Sequence, residues 1–211
     1  MRKRSAWIAI VTVAVSIVFT GCAREEQSTQ ATIANRVQPA YEKTFKDLHL
    51  GEAHFYRAFI PNGAEKWVHF GIDTYIGGEL QEETQELSTG NFIEREDDKY
   101  DLGLVLMNHG EMILAQLNVD GTSTNMYELP KAKLEDGQGL STSWAEALPE
   151  DEDVPLMEGE KRILGAYIMN TNGRIIYHDL SDAGQLKQAI RENHIMHILY
   201  MTLETVDKIP Q

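Results

Sequence analysis

The chain has 211 residues, with 33 acidic against 19 basic side chains, a formal charge of −14 and one cysteine. A surface this acidic repels nucleic acid and bare anionic lipid, and a lone cysteine excludes an internal disulfide framework. The length suits a single domain standing on its own hydrophobic core.

Arg2, Lys3 and Arg4 open the chain, residues 6–19 (AWIAIVTVAVSIVF) are almost wholly apolar, and Thr20-Gly21-Cys22 precedes a polar run. A cationic head, an apolar core and small residues before a cut are the parts of a secretory signal. The apolar run is shorter than the roughly 20 residues a membrane span needs, so cleavage is expected. Thr20, Gly21 and Cys22 resemble the lipobox of bacterial lipoproteins. That resemblance covers residues 1–22. It implies a signal peptide over 1–21 and a diacylglycerol-type lipid on the Cys22 thiol. It also implies a lipid-anchored location on the extracytoplasmic face of the cell membrane. Removing the signal takes away three basic residues and no acidic ones, so the mature charge would be about −17. With Cys22 acylated, no thiol is left for redox chemistry or nucleophilic catalysis.

Residues 22–35 are polar and lack an apolar period, which predicts a tether. The remainder, 36–211, is expected to be one β-rich extracytoplasmic domain. Val37, Tyr41, Phe45 and Leu48 are spaced for a short helix over 36–50. From residue 52 the period changes to two. Strands are expected over 53–60 and 67–76, separated by the turn signal Pro61-Asn62-Gly63, and a polar edge strand over 79–87. Residues 100–108 and 111–119 predict a hairpin, and Asp120-Gly121 predicts a second turn leading to 125–129.

Residues 130–159 form a long acidic excursion. Within it Ser143 and Glu146 match a capping box, which predicts one short helix ended by Pro149. Residues 161–170 read as a strand, Asn172-Gly173 as a type I′ turn, and 174–178 as the returning strand. Ser181 or Asp182 caps a helix to about Asn193, with Leu186, Ala189 and Ile190 on one face. Residues 195–203 suit either a continued helix or a central strand, and the β-branched and aromatic content favours the strand. The predicted fold is mainly β (α+β): an antiparallel β-sandwich-like domain with a short N-terminal helix and a helix near the C-terminus.

Catalytic motifs are missing: there is no GxSxG elbow, no SxxK pair, no HExxH and no phosphate loop. No catalytic residue and no cofactor beyond the lipid is assigned. Trp144 lies inside the long excursion and is followed by Glu150, Asp151, Glu152 and Asp153, which makes these five the candidate binding residues. Trp144 equally suits a residue folded back to close one end of the sandwich. His194 and His197 form HxxH, a metal pair on a helix but not on a strand, where they face opposite ways. Three functions are therefore expected in order: a non-catalytic binding or interaction module of the cell envelope, an envelope-polymer hydrolase using paired carboxylates, and a calcium- or metal-binding lipoprotein. The expected contacts are the membrane through the anchor and an envelope or secreted protein, with no nucleic acid.

Overall fold

A computed structural model describes residues 29–36, 39–82, 85–90, 98–134, 138–150 and 152–205. Cys22 and the rest of the signal lie outside the described residues. The protein is mainly β, with its strands in two antiparallel sheets. In chain order the first sheet takes β1 (Thr32–Asn35), β2 (Glu52–Phe59), β6 (Lys99–His109), β7 (Met112–Val119), β8 (Thr122–Ser123), β9 (Tyr127–Pro130) and β11 (Val154–Pro155). The second takes β3 (Lys66–Ile76), β4 (Glu79–Leu80), β5 (Gln85–Gly90), β10 (Ser141–Glu146), β12 (Arg162–Asn170) and β13 (Ile195–Thr205). The helices are α1 (Pro39–Asp47) and α2 (Ala183–Glu192).

Alternation explains the layering. On β6, Leu102, Leu104 and Leu106 point one way, and on β3, Val68, Phe70 and Ile72 do the same. These residues meet in one buried cluster drawn from both sheets, which also holds Tyr56, Ile113, Leu117, Leu164, Leu199 and Met201. β13 is central in its sheet, flanked by β12 and β3, and all its side chains are buried except Thr202, Glu204 and Thr205, which are half-buried. That settles the ambiguous 195–203 run as strand, since a two-sided burial site takes a continuous apolar run. A second cluster covers the opposite face of this sheet, where Ala166, Ile168, Met196 and Ile198 receive Ala189 of α2, with Leu186 and Ile190 beside it.

Local signals account for the edges. Pro39 opens α1, where its missing N–H costs nothing. The Asp182 side chain accepts from Gln185 N at 2.8 Å and caps α2 as expected. Asp120 and Gly121 both have positive φ, the backbone that a two-residue hairpin turn needs.

Several expectations are corrected. The last four residues of the expected tether are β1, paired on both sides by β2 and β11. The expected edge strand over 79–87 is two short strands, β4 and β5, both on β3. The excursion contributes β10 and β11 to the sheets, and the helix expected at Ser143 is strand β10. Its residues alternate: Trp144 packs on the main core and Ala145 on the second cluster. That two-sided demand overrides the cap pattern. Asn172 does not take positive φ, so Asn172-Gly173 is not a type I′ turn. Its Oδ1 instead accepts from Arg174 N at 3.0 Å, and residues 174–178 carry no strand.

Candidate functional site

Glu52, His54 and Tyr56 sit at alternate positions of β2 and pair with Leu106, Leu104 and Leu102 of β6. Those leucines face the core, so the three polar side chains also point between the sheets. Opposite them runs β10, the edge strand of the second sheet, carrying Thr142, Trp144 and Glu146 on its inward face. Where β2 and β10 oppose one another the layers leave a cleft of about 520 Å³. Glu42 and Lys46 of α1, His49 and Glu150 line its rim.

The centre of the cleft is His54. Its ring stacks on Trp144, with centroids 3.7 Å apart and planes inclined by 16°. His54 Nδ1 lies 3.6 Å from Glu146 Oε1, and Nε2 lies 3.5 Å from Glu52 Oε2. Glu146 is held in place by two neutral donors: Trp144 Nε1 donates to Oε1 at 2.6 Å and Tyr56 OH donates to Oε2 at 3.2 Å. Among the described residues, Glu52 Oε2 and His54 Nε2 are shut from solvent without a hydrogen-bond partner. Burial opposes charge on His54, but Glu146 and Glu52 outweigh it and hold the imidazole above its ordinary range. Burial, with Glu146 beside it, pushes the Tyr56 hydroxyl well above its usual range. Burial also raises Tyr167, although Thr142 hydrogen-bonds to it and pulls the other way.

Gly165 makes this geometry possible. It pairs with Glu146 across the ladder, and a Cβ there would stand 2.3 Å from Trp144 Cζ2. The indole fills the space that any other residue would occupy.

Of the expected binding residues, Glu150 lines this cleft, and Trp144 stacks on its central His54. Trp144 is half-buried on His54 and therefore folds back onto the domain. Glu152 and Asp153 are exposed just before β11 and do not line the cleft, and Asp151 lies outside the described residues. His194 and His197 are not brought together. His197 is buried, with Nδ1 at 2.8 Å from Thr74 Oγ1 and Nε2 at 3.0 Å from Pro130 O. Because a carbonyl only accepts, Nε2 carries the hydrogen and Nδ1 accepts from the threonine. Burial pushes this imidazole down to about 4. His194 is exposed and contacts Asn170 and Thr171. Among the described residues no group of three metal-ligating side chains converges.

A second polar cluster lies on β3, β5 and β13. His69 Nδ1 is 2.9 Å from Ser88 Oγ and 3.0 Å from Glu86 Oε1, while Ser88 donates to the same Glu86 oxygen at 2.6 Å. Glu204 Oε2 stands 3.6 Å from the other ring nitrogen, too far for a hydrogen bond, and the Ser88 hydroxyl already donates to Glu86, so the cluster is a cross-strand polar network.

Sequence reasoning missed Glu52, His54, Tyr56 and Glu146 as a set. The only local signal was a run of polar groups at alternate positions of a strand. No protein-family model matches this chain, and no curated protein or solved structure matches it either.

Proposed function

We propose that the chain is a lipoprotein, anchored by lipid on Cys22 to the extracytoplasmic face of the membrane. It acts there as a non-catalytic binding module of the cell envelope, built on a β-sandwich. The anchor rests on Arg2, Lys3, Arg4, the apolar run and Thr20-Gly21-Cys22. The observation that carries the binding role is the cleft between β2 and β10. It has the size of a small-ligand site, and its lining is largely polar and charged, with Ala53 and Phe55 as apolar members. Glu146 is pre-set by Trp144 and Tyr56, so little order has to be gained on binding.

Two measurements test this. Metabolic labelling with a radioactive fatty acid should mark the wild-type chain and leave Cys22→Ser unlabelled and outside the membrane fraction. A thermal-shift series with cell-wall fragments, sugars, calcium, zinc and EDTA should raise the melting temperature for at least one ligand. At a hundred times its dissociation constant a ligand stabilises by about 2.7 kcal/mol. The shift should vanish in Thr142→Trp, which fills the cleft mouth; a shift that survives there places binding elsewhere.

The hydrolase reading keeps one supporting observation: two glutamates, 52 and 146, line the same cleft. His54 stands between them and both oxygens of Glu146 already accept hydrogen bonds, which favours binding over acid–base work on a glycosidic bond. Loss of wall-fragment cleavage in both Glu52→Gln and Glu146→Gln would reverse that preference.

A further inference from the structure

We propose that the cleft takes an organic cation, the ammonium or guanidinium group of a basic peptide, and that this cation replaces the proton carried by His54. The inference rests on the reading of the cleft as a binding site.

Both ring nitrogens of His54 face carboxylate oxygens, Glu52 on one side and Glu146 on the other. At 3.5 and 3.6 Å these are ion-pair distances, and only the imidazolium places a positive charge between the two carboxylates. Among the described residues no lysine or arginine is ion-paired with either glutamate, and the donors to Glu146 are the uncharged Trp144 and Tyr56. The two carboxylates are thus balanced by a charge that can leave as a proton. Glu42 from α1 and Glu150 beyond β10 line the rim, with Lys46 as the fixed cation beside them; His49 also lines it, and Tyr167 on β12 is uncharged.

An incoming cation would meet the imidazolium at close range and be repelled by it, while both carboxylates attract it. Losing the His54 proton removes the repulsion and leaves the attraction. The entering group also supplies what the site lacks, a donor for Glu52 Oε2. A bare metal ion fits less well, because both Glu146 oxygens are occupied and no three ligands converge among the described residues. The cleft volume of about 520 Å³ accommodates side chains of a short peptide.

The test is calorimetry of the full chain in detergent with tri-arginine, near pH 6 and near pH 8, in two buffers of different ionisation enthalpy. Near pH 6 binding should release up to about one proton, and affinity should rise with pH by up to about tenfold per unit until His54 has titrated. His54→Gln should still bind, with neither proton release nor pH dependence. Tri-glutamate should not bind. Tri-arginine that fails to bind, or binds without proton release, overturns the proposal, as does preference for tri-glutamate. The two readings fail separately. If an uncharged wall fragment binds and Thr142→Trp abolishes it while tri-arginine is inert, the cleft stands as a site and the cation is wrong. If Thr142→Trp binds every ligand as well as wild type does, the cleft itself is not the site.

Discussion

At the residue scale the cleft depends on one close fit. Gly165→Ala should drive Trp144 off His54, since the new methyl would stand 2.3 Å from the indole. Overpacking of this kind costs typically about 1–3 kcal/mol. In the double variant with Trp144→Ala the two losses should add to less than their sum, because the clash has gone. Urea unfolding of the four chains measures this; strict additivity would mean that the indole does not rely on Gly165. Trp144 was readable in the sequence as an unusual aromatic in an acidic stretch. Its partner was not. His54 and Trp144 belong to strands of different sheets, and Tyr56 meets Glu146 across 90 residues. Local periodicity reports which side of a strand a residue faces, not which strand lies opposite.

At the element scale, most strands and α2 were legible because long alternating runs and a capping aspartate are strong local signals. The failures are short elements. β1 has four residues, too few to show a period, and it exists because β2 and β11 pair with it. β10 carries a true cap pattern in Ser143 and Glu146, but both of its faces are claimed by buried clusters. Two substitutions probe the elements that were read correctly. Asp182→Ala removes the N-cap of α2 and should cost about 0.5–2 kcal/mol in denaturant unfolding. Leu199→Ala, in the middle of β13, should cost about 2–5 kcal/mol. If both cost the same small amount, β13 is not the central strand of the core.

At the scale of the whole molecule, two histidines set the pH response with opposite signs. His197 has a folded value near 4 against an ordinary 6.5. Below 6.5 the unfolded chain takes up this proton and the native one does not, so stability falls from there toward pH 4. Complete, that loss is on the order of 3 kcal/mol. His54 is held above 6.5, so its contribution is fully present below that value and is lost as pH rises through the folded value. The carboxyls of Glu86 and Asp101 are depressed: burial opposes this, but Ser88, His69 and Tyr200 around Glu86 and Arg57 and Arg36 around Asp101 outweigh it. They add a further loss as pH falls through the carboxylate range. Melting temperature against pH should therefore peak close to 6.5, the ordinary histidine value. His54→Gln should flatten the alkaline side of the peak and leave the acid side in place. A peak that is unchanged in this variant would remove His54 from the response.

The pairing of β1 on both edges has a mechanical meaning once the chain is tied to a membrane. From Cys22 to Thr32 the chain reaches at most about 35 Å. With the proposed lipid on Cys22, a tug from the membrane would enter along β1, which is laddered to β2 over four residues and to β11 over two. Force directed along a strand strains those hydrogen bonds together and does not peel them one at a time. One route of that load runs through β2, which carries Glu52 and His54, and the other through β11, shortly after Glu146. On the proposed anchoring, tension would load the sheet whose β2 forms one wall of the cleft.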